Sequence, residues 1–136
     1  MKLIPISEHA DAPKILYDLL AERTPDQSIS HREMPTWEEH CAFVAEHPYE
    51  AWYLLEEGDK IIGATYITEA DEIGLAIFTE FQRQGYGKKA VGLLLQEHPR
   101  EAYFANIASR NEASKAFWQK LGFGLLQETY SLEPSA

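Results

Sequence analysis

The sequence of 136 residues predicts one α/β domain, with a mixed sheet of six or seven strands and about four helices. Two observations support this prediction. Apolar runs that suit strands alternate along the chain with segments whose apolar residues recur at helical spacing. In addition, consecutive strands precede two strand–helix units, so the sheet should be antiparallel first and parallel later. A chain of this length buries one core, and we expect a single domain over residues 1–136.

The first half of the chain is predicted to contain three strands and two helices. In order along the chain, these elements are residues 2–6, 11–23, 36–47, 51–56 and 61–68. Pro13 falls in the opening turn of the first helix, where proline is tolerated. Thr36 and Glu39 have the spacing of a capping box, which predicts the start of the second helix, and Pro48 ends it. The two later strands should form a hairpin around a turn at residues 57–60.

The second half is predicted to add three strands and two helices in alternation. They are a strand at 72–78, a helix at 88–97, a strand at 102–106, a helix from Asn111 and a strand at 123–132. The apolar residues of the 88–97 helix share one face, which should contact the core. They are Ala90, Val91, Leu94 and Leu95.

A glycine-rich turn links the 72–78 strand to the following helix. Its sequence is Gln82-Arg83-Gln84-Gly85-Tyr86-Gly87. The first N–H groups of a helix have no partners within the helix and, together with the helix dipole, favour an anion. Glycine lets a phosphate approach the backbone closely, and Arg83, Lys88 and Lys89 add positive charge. The turn therefore predicts a site for a phosphate or pyrophosphate group.

Two alternatives compete with this interpretation. The segment from Gly85 to Ala90 also matches the dinucleotide-binding pattern G-x-G-x-x-G/A. That pattern should follow the first strand of a unit, and the next strand should end in an acidic residue. Here the turn comes two-thirds of the way along the chain and the 102–106 strand ends in Asn106, which disfavours a dinucleotide-dependent oxidoreductase. The spacing excludes a P-loop, and a glycine-rich turn that binds nothing is the plainest alternative.

Charge is unevenly distributed along the chain. Residues 1–82 contain 5 Lys/Arg and 17 Asp/Glu, a net charge of −12, whereas residues 83–120 contain 7 and 3, a net charge of +4. Residues 121–136 add two glutamates, which gives the total of −10. An acidic chain argues against nucleic-acid binding, whose affinity comes mostly from phosphate neutralisation. The basic segment is the one that contains the glycine-rich turn.

The segment from Asn106 to Phe123 joins the glycine-rich turn as a second motif. Taken together, and in this order along the chain, the two motifs resemble those of the GNAT superfamily of acetyl-CoA-dependent N-acetyltransferases. In that family the turn holds the CoA pyrophosphate and a helix that begins with Asn-x-x-Ser/Ala lies along the pantetheine arm. The resemblance implies a GNAT-like fold in which two strands separate around the cofactor, and direct acetyl transfer in a ternary complex.

The resemblance implies a set of cofactor-binding residues and a backbone bulge. The set is Ile77, Phe78, Thr79, Gln82, Arg83, Gln84, Gly85, Tyr86, Gly87, Lys88, Asn111, Ser114, Phe117 and Trp118. A bulge near Ile77 and Phe78 would free an N–H group for the pantetheine arm or the acetyl carbonyl. Thr79 stands where relatives often have proline.

Four residues are candidates for the chemistry. Asp71 or Glu72 is the candidate general base. Because strand side chains alternate, only one of the two can face the cleft, and we favour Glu72. The alternative for either residue is an acid at the end of the strand that is simply solvated. Trp118 stands where many relatives carry a tyrosine that protonates the leaving thiolate. An indole N–H donates a hydrogen bond but is no useful acid, so Ser114 is a candidate substitute, and aromatic packing is the alternative role for Trp118.

Two histidines and the single cysteine are expected to have structural roles. His31 and His40 are weaker candidate bases, each expected to be an ordinary surface or capping histidine. Cys41 shares helical spacing with Trp37 and Val44 and is expected in the core, in preference to an acyl-cysteine role. No histidine or cysteine cluster has metal-ligand spacing, so no metal is expected.

The acceptor is predicted to be a primary amine. The charge of residues 1–82 favours a cationic small molecule or a protein N-terminus, and an amino-sugar nucleotide is the alternative acceptor. A non-catalytic acyl-CoA-binding module is the alternative function, because of Trp118. The single cysteine and the lack of a long apolar run or signal sequence suggest a cytoplasmic protein without a membrane partner. A homodimer is left open.

Overall fold

A four-stranded antiparallel sheet with strand order β1-β2-β3-β4 forms the centre of the computed structural model, which describes residues 1–23 and 33–134. The strands are β1 Lys2–Pro5, β2 Ala51–Glu57, β3 Lys60–Ile67 and β4 Ile73–Ile77. The predicted hairpin joins β2 to β3, and Gly58 in its turn has φ +65°, a conformation that glycine adopts at little cost.

Four helices complete the described part of the chain. They are α1 Ala12–Ala21, α2 Trp37–Glu46, α3 Tyr86–Glu97 and α4 Glu112–Lys120. The predicted capping box of α2 is confirmed: the Glu39 N–H donates to Thr36 Oγ1 at 3.1 Å, and the Thr36 N–H donates to Glu39 Oε1 at 3.0 Å. Within residues 1–23 and 33–134, every helix is too short or too polar to cross a bilayer.

Both faces of the sheet are covered. On one face, α1 packs in a core of Ile6, Ala12, Leu16, Leu19, Trp52, Leu54 and Ala64. On the other face, α3 and α4 pack against Ile67 and Ile73 through Val91, Leu94 and Trp118. Leu54 and Leu94 are fully buried, and burying such a side chain contributes roughly 1.5–3 kcal/mol. The sheet is therefore stabilised from both sides, and only its edges expose unpaired backbone.

The predicted fold class is confirmed, but the predicted number of strands is wrong. The described residues form four strands, and the 102–106 segment contributes a single parallel bridge between Glu72 and Phe104. Residues 123–132 form no strand, and four of their large apolar residues are exposed: Leu125, Leu126, Tyr130 and Leu132. A strand needs a neighbouring strand to pair with as well as a suitable pattern of apolar residues. The pattern within one segment does not show whether such a neighbour is available.

Two predictions for α2 are also wrong, and His31 lies outside the described residues. His40 is 2% exposed, with Nε2 2.8 Å from the Pro13 carbonyl oxygen. It is therefore the buried link between α2 and α1, where a surface or capping role was expected. Trp37 is 42% exposed, and Cys41 is half-buried rather than a core residue.

Candidate functional site

The outer edge of β4 opens a gap in the structure. At the start of β4, the Ile73 N–H donates to the Phe104 carbonyl at 2.7 Å and the Phe104 N–H donates to the Asp71 carbonyl at 2.9 Å. Beyond this bridge, no described strand pairs with the edge. Successive N–H groups of a strand point to opposite edges, so those of Leu75 and Ile77 point outward, as that of Ile73 does. This space is closed at the Glu72–Phe104 bridge and open beside Leu75 and Ile77. We call it the strand gap.

The strand gap does not depend on a bulge in β4. The register between β3 and β4 is regular from Gly63 opposite Ile77 to Ile67 opposite Ile73. The Phe78 N–H also pairs, donating to the Ile62 carbonyl at 2.9 Å. The predicted bulge near Ile77 and Phe78 is therefore wrong, and the register shift lies instead between β2 and β3. The outward N–H groups are available because an edge strand has a partner on one side only.

The glycine-rich turn leads from β4 to α3 through two left-handed residues. Arg83 has φ +64° and Gly85 has φ +83°, and α3 begins immediately afterwards. Two glutamine side chains fix the turn: Gln82 Nε2 donates to the Ile77 carbonyl at 2.9 Å, and Gln84 Nε2 donates to the Glu80 carbonyl at 3.3 Å. Gly85, at the N-terminal end of α3, has no side chain that could accept a hydrogen bond from the first N–H groups of the helix. These groups therefore have no side-chain cap, and they face outward from the start of the helix.

The two glycines of the turn have different surroundings. A Cβ atom on Gly85 would meet nothing within 4 Å among the described residues, so the space in front of α3 is open. A Cβ atom on Gly87 would lie 2.9 Å from Phe117 Cε1 and 3.4 Å from Leu75 Cδ2. Gly85 thus faces the open space, whereas Gly87 allows Phe117 of α4 to pack between α3 and β4.

Positive charge lies beside the turn. Arg83 and Lys88 are exposed, and among the described residues no carboxylate lies within 4.0 Å of either side chain. Lys89 is partly engaged, because its Nζ lies 3.8 Å from Glu57 Oε1 and 6.0 Å from the centre of the Tyr86 ring. The turn therefore combines outward N–H groups with two available cations.

Thr79 connects the turn to α1. Its N–H and its hydroxyl both donate to Glu22 Oε1, at 2.8 and 2.9 Å. Glu22 is the residue that ends α1. Thr79 thus uses both donors within the protein.

The two candidate bases differ in their surroundings. Asp71 has φ +65°, and its Oδ1 lies 3.2 Å from Nη1 of Arg100, which also pairs with Glu50. The carboxylate of Glu72 accepts a hydrogen bond from the Thr68 hydroxyl at 3.4 Å and another from the Asn106 amide. Asp71 is therefore held in an ion-pair cluster, whereas Glu72 lies at the closed end of the strand gap.

A tyrosine pair beside the strand gap was not predicted from the sequence. The ring of Tyr66 on β3 lies over Gly74 of β4, where a Cβ atom would be 2.0 Å from Tyr66 Cε2. Tyr49 stacks on this ring with a centroid separation of 3.7 Å and an interplanar angle of 4°. Burial raises the pKa of both tyrosines above the ordinary value of 10.0. The signal in the sequence was Gly74, because a glycine inside a strand often marks a close approach of another group.

The residues of α4 divide between the gap and the core. Asn111 caps the helix, with Oδ1 accepting from the Ser114 N–H at 3.0 Å. Phe117 reaches the glycine-rich turn at Gly87. Trp118 is 5% exposed and packs edge-on against Phe117 and Phe123, with centroid distances of 5.1 and 5.0 Å. The structure thus brings the turn, the β4 edge and Phe117 together, and places Trp118 in the core.

Three solved structures share this fold. An acetyltransferase from Thermus thermophilus has a TM-score of 0.72 and 20% identity, over 93% of this chain and 88% of that chain. The Salmonella typhimurium protein yncA, with its cofactor acetyl-CoA, has a TM-score of 0.63 and 17% identity, over 90% and 77%. The microcin C7 self-immunity acetyltransferase MccE, in complex with acetyl-CoA and AMP, has a TM-score of 0.65 and 19% identity, over 96% and 83%. At these identities the similarity establishes the fold.

The sequence itself establishes the family. No curated protein matches the chain. The profile of the acetyltransferase (GNAT) family matches residues 14–123, a range that includes β4, the glycine-rich turn and α4. The chain therefore belongs to the GNAT family of acetyltransferases and is an acyltransferase.

Proposed function

We propose that this enzyme binds acetyl-CoA along the strand gap and transfers the acetyl group directly to a primary amine. One observation carries the proposal: the outward N–H groups of Leu75 and Ile77 lead from the strand gap towards the open space in front of Gly85. Two structures that share the fold, those of yncA and MccE, contain acetyl-CoA.

The glycine-rich turn suits the pyrophosphate of the cofactor. The first N–H groups of α3 face outward, and the absence of a Cβ on Gly85 leaves their approach open. Arg83 and Lys88 supply positive charge without a carboxylate within 4.0 Å among the described residues. Phe117 supplies an apolar wall for the pantetheine arm where it contacts Gly87.

The closed end of the strand gap suits the transfer step. Acetyl-CoA, when bound, supplies a thioester carbon that an amine can attack. An outward N–H of β4 is positioned to donate a hydrogen bond to the carbonyl oxygen, and one such donor contributes about 10²–10³-fold in rate. Glu72 accepts a proton from the ammonium form of the acceptor, directly or through water.

The departing sulfur does not require Trp118 in this scheme. Trp118 packs in the core, and a thiol with a pKa near 8.5 leaves readily as the thiolate. Ser114, half-buried in the first turn of α4, is the candidate for any assisted protonation. Asp71 supports the site indirectly by its pairing with Arg100.

Calorimetric titration with acetyl-CoA tests the binding site. We expect a Kd in the micromolar range or tighter, about −8 kcal/mol. Gly85→Asp should abolish binding, because it puts a side chain and a negative charge in the open space. Gly92→Asp is the matched control: it adds the same charge to an exposed position of α3 and should leave the Kd within about twofold. If Gly85→Asp left the affinity for acetyl-CoA unchanged, the turn would not be the acetyl-CoA site. Preferred binding of NADH would show that the turn has another ligand.

Thiol release with a panel of primary amines tests catalysis. The panel should include small cationic amines, peptides with free N-termini and an amino-sugar nucleotide. Turnover on any of these identifies the acceptor class. The burial of Trp118 favours one second candidate, a non-catalytic acyl-CoA-binding module. Tight binding without turnover on every amine would support that candidate.

A further inference from the structure

Asn106 lies beside Glu72 on one face of the sheet. Ile73 packs with α3 and α4, so alternation of side chains along the chain directs Glu72 to the opposite face, on which α1 packs. Phe104 is the partner of Glu72 in the parallel bridge, and Asn106 follows Phe104 by two residues. Side chains two residues apart in an extended segment share a face. Glu72, Phe104 and Asn106 therefore project from the same side of the sheet.

The Glu72 carboxylate has one hydrogen-bond donor for each oxygen. Asn106 Nδ2 donates to Oε2, and the Thr68 hydroxyl donates to Oε1 over a longer distance, 3.4 Å. The shorter contact makes Asn106 the main restraint on the carboxylate. An ionised carboxylate offers about four acceptor positions, so these two contacts leave room for an incoming ammonium.

Backbone pairing fixes the separation between Asn106 and Glu72. Phe104 donates its N–H to the Asp71 carbonyl at 2.9 Å and accepts the Ile73 N–H at 2.7 Å. These two hydrogen bonds enclose Glu72 in the chain of β4. Asn106 therefore cannot move away from Glu72 unless the bridge that closes the strand gap is broken.

Arg100 fastens the same segment through its side chain. Its Nη1 lies 3.2 Å from Asp71 Oδ1, and its Nη2 pairs with Glu50. The Arg100 N–H donates to the Tyr103 hydroxyl at 2.9 Å, and that hydroxyl donates to the His98 carbonyl at 2.7 Å. The segment that follows α3 is therefore held in a fixed shape and tied to the residue before Glu72.

We propose that Asn106 is a positioning residue for Glu72, and that Arg100 acts through Asn106 by holding its segment against β4. This proposal rests on the transferase function proposed above, in which Glu72 accepts a proton from the acceptor ammonium and passes it to solvent. Asn106 holds Oε2 so that the carboxylate stays directed at the acceptor nitrogen, and correct orientation of a reacting group accounts for a large part of catalysis. Asn106 and Arg100 keep their own protons throughout.

Substitution of Asn106 tests the role in turnover. Asn106→Leu keeps the approximate size of the side chain and removes the donor. It should lower kcat about tenfold or more, as expected when a hydrogen bond to a charged group is lost. The KM for the amine and the Kd for acetyl-CoA should stay within about twofold. Gln96→Leu removes an exposed amide from α3 and is the matched control, in which kcat should be unchanged.

A Glu72→Gln background separates positioning from a general structural effect. General-base catalysis contributes about 10²–10⁴-fold, so the comparison is made on the residual turnover of Glu72→Gln. With the base already removed, adding Asn106→Leu should change kcat by less than about twofold. An equal loss of kcat in both backgrounds would show that Asn106 does not act through Glu72, and the proposal would be wrong.

Substitution of Arg100 tests the anchor. Arg100→Met should lower kcat a few-fold, and Arg100→Lys should fall between this variant and the wild type, because lysine keeps the charge but lacks the planar fork. Arg100→Met combined with Asn106→Leu should be no slower than Asn106→Leu alone, within about twofold. Multiplication of the two separate losses would refute an action of Arg100 through Asn106.

The side-chain amide resonance of Asn106 tests the contact without turnover. Glu72→Gln should shift this resonance, whereas Glu69→Gln, which neutralises an exposed carboxylate in the preceding turn, should leave it in place. A resonance that does not respond to Glu72→Gln would refute the contact. If it responds and no amine is acetylated, the contact stands and the transferase proposal fails. If amines are acetylated and Asn106→Leu retains full kcat, the transferase stands and the positioning role fails.

Discussion

Phe117 of α4 lies directly against Gly87 of α3: a Cβ atom on residue 87 would be 2.9 Å from Phe117 Cε1. The second glycine of the turn is therefore required by packing between two helices. The first glycine, Gly85, is required by its left-handed backbone and by the open space before it. One short motif thus satisfies two separate constraints, and single substitutions can separate them.

We predict that Gly87→Ala destabilises the protein by about 1 kcal/mol. Overpacking against Phe117 costs about 1–3 kcal/mol, and the higher helix propensity of alanine offsets up to about 1 kcal/mol. Gly92→Ala is the control, because a Cβ there meets nothing within 4 Å among the described residues, and it should stabilise α3 by about 0.5–1 kcal/mol. Urea unfolding measures both. In a Phe117→Leu background the penalty of Gly87→Ala should disappear, and its persistence would refute the contact.

We predict opposite effects of Arg83→Gly on stability and on cofactor affinity. Arg83 has φ +64°, which costs a side chain about 1–2 kcal/mol, and the entropy of glycine offsets part of the relief. Stability should rise by up to about 1 kcal/mol, measured by urea unfolding. The Kd for acetyl-CoA should rise a few-fold, because an exposed charge contact is worth about 0.2–1 kcal/mol. Arg83→Lys keeps the charge, and loss of affinity in that variant as well would argue against a purely electrostatic role.

We predict energetic coupling between Glu22 and Thr79. One carboxylate oxygen accepts both the N–H and the hydroxyl of Thr79. Glu22→Ala removes the acceptor of both hydrogen bonds, whereas Thr79→Val removes only the hydroxyl donor, so the cycle isolates the hydroxyl hydrogen bond. A double-mutant cycle with Glu22→Ala and Thr79→Val, followed by urea unfolding, should give a coupling energy of about 0.5–1.5 kcal/mol. Strict additivity of the two substitutions would mean that the hydroxyl hydrogen bond contributes nothing to stability.

We predict that the capping box of α2 loses its stabilising effect in acid. Hydrogen bonds from the Thr36 backbone and side chain lower the pKa of Glu39 below its ordinary value of 4.5. A group whose pKa is lowered in the folded state stabilises it above the ordinary value, and the effect is lost as pH falls through the lowered value. Wild type should therefore exceed Glu39→Gln in stability at pH 7, and the difference should shrink as the pH falls below 4.5. Glu38→Gln removes a charge from the same turn without touching the box, and an equal response in that variant would contradict the assignment.

Local rules explain which parts of the fold could be predicted. The capping box of α2 needs only Thr36 and Glu39, three residues apart. The buried face of α3 follows from helical spacing, and Ala90 and Leu94 are fully buried as expected. The glycine-rich turn was located because glycine adopts φ values such as that of Gly85 at little cost. In each case the atoms that interact are close in sequence.

Contacts between distant residues explain the rest. The burial of His40 depends on the Pro13 carbonyl, 27 residues earlier in the chain. The single bridge at Phe104 depends on how far the chain departs from β4 after Glu72, which no local pattern encodes. Tyr66 was overlooked because its position beside the strand gap depends on the empty space over Gly74.

The overlap of Tyr66 with Gly74 has a consequence for how the enzyme can change through mutation. Any side chain at position 74 collides with the ring at position 66, since a Cβ there would lie 2.0 Å from Tyr66 Cε2. A substitution at Gly74 is therefore harmful while the tyrosine is present and becomes tolerable once a smaller residue replaces it. Positions 66 and 74, on neighbouring strands, are therefore epistatic. This coupling blocks single-step routes through position 74, so libraries that aim at a different acceptor should vary positions 66 and 74 together.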